Sequence, residues 1–288
     1  MFNQNIKSPV NIPVSKIRPF EGNPYKVLDN DEMNTLICSI QEQGILTPII
    51  IRPIENTDEY EVISGHRRLH ATVKAGMKEV PAFIYAVTRD EAAIMLVDSN
   101  LHREHILPSE KAFAYKLKAE ALKHQGKRSD LTLVQVAPKL STEQIGEIEN
   151  ISKDTVKRYI RLTYLIPELL ELVDEEKIAL TPAVELSYLT DEEQYSLLGT
   201  IEEEDRTPSL SQAVRFKKLS QAGELSDESI ETIMQEDKAN QKPMFKVSME
   251  RLQKVAPKVK DKDFEDFVLK ACEHYYRYLQ RQRNRDAR

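Results

Sequence analysis

The sequence predicts an α+β N-terminal domain, then an all-α helix-turn-helix domain and a helical C-terminal segment. Over residues 1–106, short runs rich in Ile, Val and Tyr alternate with amphipathic helical stripes, and these strand patterns largely vanish after Pro108. Residues 141–162 read as two short helices joined by a tight turn. We expect domains at residues 1–106 and 107–200, a linker and helix at 201–243, and a helical segment at 244–288.

The composition is typical of a globular protein, with 40% hydrophobic and 31% charged residues in 288. A net charge of −6 argues against coating nucleic acid through bulk positive charge, although a local basic face remains open. The longest apolar runs are far shorter than the roughly 20 residues of a membrane helix, and the first ten residues lack a signal-peptide core. We therefore expect a cytoplasmic protein, with Cys38 and Cys272 as buried, reduced thiols.

Local signals place the elements of the N-terminal domain. An apolar stripe and a following glycine predict a helix over Asp31–Gln43 that ends at Gly44. Thr88 and Glu91 form a capping-box pattern that opens a helix running to about Asn100. The other predicted elements are strands at Pro48–Ile54, Tyr60–Ile63 and Val80–Val87, a turn at 55–58, and a helix at His66–Ala75.

The second half of the chain is predicted to be helical. Pro108 suits the first turn of a helix that runs to Gln125, with Gly126 after it and a polar connection at 126–133. The acidic stretch Glu202–Ser211 contains a proline and is predicted to be a linker or exposed loop. Further helices are expected from there to the end of the chain, with interruptions around 240–243 and Pro257.

A candidate anion site lies where a strand gives way to a helix at Gly65. The first N–H groups of a helix lack internal partners and favour an anion, and a glycine lets it approach the backbone closely. Arg67 and Arg68 add forked donors, and no acidic residue occurs between Glu61 and Glu79 to neutralise them. The alternative is a pair of solvated surface arginines on a short helix.

A second polar cluster, Asn100 to His105, follows the next helix. Asn100 and Arg103 are three residues apart and offer an amide and a guanidinium on one helical face, suited to phosphate or metal-bound water. The alternative is a helix C-cap at Asn100 with a solvated Arg103. The nearby histidines are expected to be polar surface residues rather than zinc ligands, because no cysteine is near them.

The helix-turn-helix candidate spans Ser141–Leu162. Ser141 and Gln144 fit a capping box for a first helix over Thr142–Ile148, and Asn150 suits a left-handed turn. A second helix over Lys153–Leu165 carries four basic residues against one acidic residue, a net charge of +3. An ordinary solvated helix face is the alternative to DNA reading. The candidate DNA-binding residues are Ser152, Lys153, Thr155, Lys157, Arg158 and Arg161.

The C-terminal segment allows two interpretations. An apolar stripe over Phe264–Leu279 predicts a helix that either dimerises or packs on its own chain. Residues 274–288 hold five arginines and one aspartate, which suits either a solvated tail or non-specific phosphate contact.

Three motifs, in order, resemble the ParB/RepB-like partition protein family over roughly residues 8–200. Gly65–Ala71 resembles the family's G-E-R-R-x-R-A motif, Ser99–Glu104 its E-N-x-Q-R-E motif, and Gly44–Ile49 its G-x-x-Q-P-I segment. The resemblance implies a CTP and Mg2+ site, a homodimer that closes as a clamp on double-stranded DNA, a ParA-type ATPase partner and a place on the nucleoid or a plasmid. The implied nucleotide-binding residues are Gly44, Thr47, Pro48, Ile49, Gly65, His66, Arg67, Arg68, Ala71, Asn100, Arg103 and Glu104.

The chain departs from these motifs at three positions. His66 stands where the family has Glu, His70 where it has Arg, and Ser99 where it has Glu. A serine hydroxyl is a poor general base, so we expect CTP binding with slow or absent hydrolysis unless Glu104 substitutes for the missing carboxylate.

Two other function classes are compatible with the sequence. A transcription or nucleoid-occlusion regulator would share these domains and differ in its DNA target. An enzyme with the same N-terminal fold, a nuclease or a serine kinase, is less favoured. The helix-turn-helix argues against a kinase, and no metal-binding carboxylates cluster around Gly65–Ala71.

Overall fold

The computed structural model describes residues 8–101, 103, 105–129, 141–236, 254, 259 and 264–286. The chain divides into two compact units, residues 1–236 and 237–288. The first contains an α+β N-terminal region and a helical region, and the described part of the second contains one long helix. This is the predicted fold class.

The N-terminal region is built on a five-stranded sheet in the order β1-β5-β3-β4-β2. The β3–β4 pair is an antiparallel hairpin, and β3 also pairs with β5 in parallel. The sequence did not predict the two edge strands, β1 and β2, whose partners lie about 40 to 70 residues away along the chain. The strands are β1 Val10–Pro13, β2 Ile17–Arg18, β3 Ile49–Pro53, β4 Tyr60–Ser64 and β5 Glu79–Ile84.

Local sequence signals set the ends of the first helices. Asn30 accepts a hydrogen bond from the backbone N–H of Met33 and so caps the first helix, which ends at Gly44 with φ 71°. The predicted capping box of Thr88 and Glu91 is present. Helices α2 (His66–Lys74) and α3 (Arg89–Asn100) pack on the sheet, and α1 (Asp31–Gln43) packs on α2.

The helices between residues 108 and 235 form a second packed region. Leu169, Leu186, Leu197 and Phe216 are each fully buried at its centre. The helices are α4 Pro108–Ser129, α5 Ser141–Glu149, α6 Lys153–Arg161, α7 Pro167–Asp174, α8 Leu180–Leu186, α9 Asp191–Glu204, α10 Leu210–Ala222, α11 Asp227–Gln235 and, in the second unit, α12 Phe264–Asp286.

One continuous core joins the sheet region to the helix-turn-helix. Leu96 of α3, Ala114 of α4, Ile145 of α5 and Val156 of α6 are buried in it together with Ile63 of the sheet. Helix α4 therefore connects the two regions through side-chain packing, although the predicted boundary at residue 106 falls in the loop before it. The domain boundaries themselves remain predictions.

Several expected boundaries were wrong. Helix α4 continues through Gly126 to Ser129, because one helical glycine costs only about 1 kcal/mol relative to alanine. Helix α9 extends to Glu204, so the expected loop at 202–211 shortens to 205–209. The second helix of the helix-turn-helix ends at Arg161, and a 3-10 turn covers Leu162–Tyr164. The expected interruptions at 240–243 and Pro257, and residues 130–133 of the polar connection, lie outside the described residues.

Both cysteines are exposed, contrary to expectation. Cys38 lies two residues before the buried Ile40, so it projects from roughly the opposite side of α1. Along α12, Phe267, Tyr275 and Leu279 are 41%, 62% and 39% exposed, and its role in dimerisation remains a prediction.

Candidate functional site

Gly65 shapes the junction between β4 and α2. It adopts a left-handed conformation with φ 102° and ψ 26°, directly before the first residue of α2. A Cβ atom at this position would lie 2.7 Å from Cγ2 of Ile49. Glycine is therefore required on two grounds, its positive φ and the close approach of β3. The first N–H groups of α2 lack a side-chain cap from this residue.

The two arginines of α2 have different partners. Arg67 forms an ion pair with Glu32 of α1, with 2.9 Å between Nη2 and Oε2. Arg68 donates from Nη1 to the carbonyl oxygens of Thr47 and Pro48, the latter at 2.8 Å. As expected, no acidic residue close to them in sequence neutralises these arginines, but Glu32, 35 residues away along the chain, pairs with Arg67. Arg68 binds the Thr47–Ile49 backbone to α2 and so brings two of the predicted segments together.

His66 acts as a hydrogen-bond acceptor in this arrangement. Its Nε2 accepts from the backbone N–H of Phe20 at 3.4 Å. Burial, followed by the charge of Arg103, lowers the pKa of His66 to about 4. The imidazole is therefore neutral near pH 7 and holds the Phe20 loop over the start of α2, rather than offering a positive charge to an anion.

The second motif lies across from α2 at the end of α3. The amide of Asn100 is buried and donates to the carbonyl of Leu96 at 2.7 Å. The Ser99 hydroxyl donates to the same carbonyl at 3.0 Å. The Arg103 guanidinium lies over the Tyr25 ring, 5.5 Å from its centroid. His102 and Glu104 lie outside the described residues.

Two other predicted residues lie away from the start of α2. The Ala71 side chain is fully buried with Met33 and Ile40 against α1. Gly44 ends α1, and a Cβ added there would meet nothing within 4 Å. Ala71 therefore contributes to the α1–α2 packing, whereas Gly44 only ends α1.

The helix-turn-helix has the expected turn. Asn150 takes a left-handed conformation with φ 54°. Ser152 caps α6 by accepting from the backbone N–H of Thr155 at 3.1 Å. The helix α5 begins at Ser141, whose side chain lies outside the described residues, and Ile148 of this helix is 59% exposed.

Comparison with known proteins places these features in a family. Residues 3–101 match the family model described as ParB N-terminal domain. The chromosome-partitioning protein Spo0J of Thermus thermophilus is 31% identical over 206 residues, which cover 72% of this chain and 70% of that protein. The chain belongs to the ParB family. A nucleoid occlusion protein of Geobacillus thermodenitrificans is 32% identical over 74% of this chain and 70% of its own length.

Solved structures of ParB proteins also match this ParB-family chain. C-terminally truncated ParB from Caulobacter crescentus complexed with CTP-gamma-S covers 68% of this chain and 99% of its own, at 22% identity and a TM-score of 0.32. The same protein complexed to the centromeric parS site covers 78% of this chain and 98% of its own, at 20% identity and a TM-score of 0.40. The family assignment rests on the sequence matches.

Sequence reasoning missed Gly146, which lies inside α5 of this ParB-family chain. A Cβ atom there would lie 2.7 Å from the carbonyl oxygen of Ile151. The Gly146 carbonyl accepts from the N–H of that same residue at 2.9 Å. A glycine within an otherwise helical pattern was the available signal.

The basic residues of α6 also differ in their partners. Lys153 pairs with Glu143 at 3.0 Å and Lys157 lies 3.8 Å from Asp154, so carboxylates compensate both lysines. The guanidinium groups bind neutral oxygens instead: Arg158 donates to Thr181 Oγ1 at 2.6 Å, and Arg161 to the Ser187 carbonyl at 2.6 Å.

The described residues contain neither a membrane-spanning helix nor a cluster of metal-binding side chains. None of the helices in the described ranges is long and apolar enough to span a membrane. Over the same ranges, no three His, Cys, Asp or Glu side chains are grouped closely enough to hold a metal ion.

The His66 contact predicts a pH-dependent stability. Because the folded-state pKa of about 4 is below the ordinary value near 6.5, the folded protein binds fewer protons than the unfolded chain between these values. The free energy of unfolding should therefore fall as the pH drops from 6.5 towards 4, by up to about 1.4 kcal/mol per pH unit from this group. Urea unfolding across this range should show a weaker dependence in His66→Gln than in the wild type. The exposed His105→Gln is the matched control, and parallel curves for His66→Gln and wild type would contradict the assignment.

Proposed function

We propose that this chain is a site-specific DNA-binding partition protein gated by CTP, acting in the segregation of a plasmid, chromosome or mobile element. One observation carries the proposal: two sites lie in the same packed unit. The first is the start of α2, where the left-handed Gly65 precedes Arg67 and Arg68, and the second is the helix-turn-helix, whose second helix is capped by Ser152. The solved structures of Caulobacter crescentus ParB with CTP-gamma-S and with the parS site contain the two kinds of ligand proposed here, a nucleotide and DNA.

The residues around α2 suit a triphosphate. The left-handed Gly65 admits an anion close to the unpaired N–H groups of α2, and a Cβ would close this approach. Arg67 is 40% exposed and its partner Glu32 is 73% exposed, so a phosphate could exchange with this carboxylate at small cost. Arg103 is exposed on the side of α3. Bound CTP would supply the phosphate charge that these residues neutralise, with magnesium held between phosphate oxygens and protein oxygens.

The base would lie along the Thr47–Ile49 backbone. Arg68 holds this segment through its two carbonyl contacts, which fixes the position of the peptide groups next to α2. Backbone N–H and carbonyl groups in a fixed position can distinguish a cytosine edge from those of other bases. The role of Arg68 is therefore to position the base-reading segment, while Arg67 contacts phosphate.

Turnover of the nucleotide is expected to be slow. The Ser99 hydroxyl donates to its own helix and accepts from Asn100 Nδ2 at 3.2 Å, so it is engaged away from any attacking water. A hydroxyl is also a poor base near neutral pH. The clamp on DNA would then open by release of CTP from the homodimer, and a ParA-type ATPase would act on the DNA-bound form.

A nucleoid-occlusion role is the second candidate, because relatives at 30–32% identity carry that name. Both roles use the same DNA and nucleotide sites and differ in the DNA target. Sequencing the genomic DNA bound by the chain distinguishes them. Sites clustered near one replication origin or on a plasmid support partition, whereas sites scattered around the chromosome support occlusion.

The recognition helix can be tested with duplexes selected by the wild-type chain from a random pool. Replacing Lys157 and Arg158 together by alanine should weaken binding to every duplex by about tenfold. It should also reduce the salt slope, the slope of log association constant against log salt concentration, by about two in magnitude, since each cation neutralises a phosphate. Thr155→Ala should instead change the preferred sequence. Lys78→Ala, an exposed lysine of the sheet region, is the control. Unchanged affinity and unchanged preference in these variants would exclude α6 as the reader.

A further inference from the structure

Cations and tyrosines alternate along one surface of the helical region. Lys116 of α4, Tyr164, Arg161, Tyr188 and Lys217 of α10 follow one another in space, and we call this set the tyrosine–cation ladder. The distances from cation to ring centroid are 5.7, 4.4, 4.0 and 3.7 Å in that order. The two rings are 55% and 40% exposed. The ladder is therefore a surface feature built from four separate segments of the chain.

The middle of the ladder is held rigidly. Arg161 lies between the two rings, and its guanidinium donates to both the hydroxyl and the carbonyl oxygen of Ser187, at 3.1 and 2.6 Å. Ser187 is only 1% exposed, so these contacts anchor the guanidinium to the core. Arg161, the central cation of the ladder, is thus held in place before any ligand arrives.

Most of the positive charge of the ladder is not neutralised. A cation over a ring is attracted by the ring quadrupole and keeps its full charge, unlike a cation paired with a carboxylate. Glu185 pairs with Lys217 at 2.8 Å and offsets one of the three ladder cations. Arg158, one turn away on α6, also has a neutral partner in Thr181. The uncompensated charge of α6 therefore lies in its C-terminal half, since both lysines of the N-terminal half are near carboxylates.

The length of α6 relates the ladder to bound DNA. Nine residues at 1.5 Å per residue span about 14 Å, slightly more than the roughly 12 Å width of the major groove. If Ser152 and Thr155 at the start of α6 meet base edges, Arg161 at its end comes to the phosphate backbone that borders the groove. A positive surface at that place matches the charge of the DNA backbone.

We propose that the tyrosine–cation ladder binds the phosphate backbone of duplex DNA beside the bases read by α6, and that it sets affinity without sequence preference. The cations already cover faces of both rings, so the ladder does not serve as a platform for stacked bases. The inference rests on the DNA-binding part of the proposed function. It assigns a DNA contact to Lys116, Tyr164, Tyr188 and Lys217, four residues outside the recognition helix.

The test compares two duplexes, one selected by the wild-type chain and one with the same bases scrambled, by fluorescence anisotropy from 50 to 200 mM KCl. The double variant Lys116→Gln/Lys217→Gln should bind both duplexes about tenfold more weakly, and its salt slope should be smaller in magnitude by about one to two. The ratio of the dissociation constants for the two duplexes should be unchanged. Lys116→Arg/Lys217→Arg should restore binding. The neighbouring exposed Lys218→Gln should behave as wild type.

A second pair of variants tests the rings. Tyr188→Leu should weaken binding to both duplexes because the cations on either side lose their support, whereas Tyr195→Leu, at a 52% exposed tyrosine of α9, should not. Thermal unfolding checks that each variant is folded. Folded ladder variants that bind with wild-type affinity and slope would overturn this inference alone. A wild-type chain that binds neither duplex would overturn the DNA-binding proposal with it.

Discussion

Gly146→Ala is expected to abolish sequence-specific DNA binding, although alanine is normally the better helix former. The new Cβ would lie 2.7 Å from the Ile151 carbonyl oxygen and 3.3 Å from the Lys153 nitrogen, and both are backbone atoms. The turn cannot move away freely, because the N–H of Ile151 donates to the Gly146 carbonyl. The helix α5 must then separate from the turn and tilt α6, at a cost of roughly 1–3 kcal/mol of stability.

Gly199→Ala is the matched control for this substitution. Gly199 also lies within a helix, α9, but a Cβ added there meets nothing within 4 Å. Alanine at this position should be neutral or stabilise the protein by up to about 1 kcal/mol. Urea unfolding and anisotropy on the selected duplex measure both variants. If Gly146→Ala is as stable as Gly199→Ala and binds DNA equally well, the close approach does not constrain the helix-turn-helix.

Arg67→Ala is expected to weaken CTP binding by at least about tenfold, since a charged hydrogen bond contributes roughly 1.5–3 kcal/mol. Glu32→Gln should bind CTP at least as tightly as wild type, because Arg67 then does not have to break an ion pair with a carboxylate before it contacts phosphate. Arg18→Ala, which removes another exposed arginine–carboxylate pair of the same region, is the control. Calorimetric titration with CTP measures the affinities, and phosphate release from the same samples should be slow.

Arg68→Ala separates positioning from phosphate contact. Loss of its bonds to the Thr47 and Pro48 carbonyls should reduce the preference for CTP over UTP as well as the affinity. Arg67→Ala should reduce the affinity for both nucleotides in proportion. CTP affinities in Arg67→Ala and Arg68→Ala that equal the wild-type value would remove the site from the start of α2.

Features encoded within a few residues were predictable from the sequence. The span of α1, the Thr88 capping box, the left-handed Asn150 and the Ser152 cap all depend on side chains next to the backbone they satisfy. The order of the three family motifs located the nucleotide candidates for the same reason, since each motif is a local pattern.

Features that join distant segments were not predictable. Glu32 lies 35 residues from Arg67, and Ser187 lies 26 residues from Arg161, so neither contact leaves a local sequence signal. The edge strand Val10–Pro13 ends in a proline, and it pairs with β5, where Val10 lies opposite Ala82. The exposure of Ile148 likewise depends on how α5 packs, which helical spacing alone does not determine.

The most direct test of CTP-gated DNA binding is a calorimetric titration of CTP and magnesium into the full-length chain, with and without a saturating selected duplex. We expect a CTP dissociation constant that changes when the duplex is present. The duplex dissociation constant should change by the same factor when CTP is present, because coupling between two binding sites is reciprocal. Absence of CTP binding, or a CTP dissociation constant identical with and without the duplex, would contradict CTP-gated DNA binding.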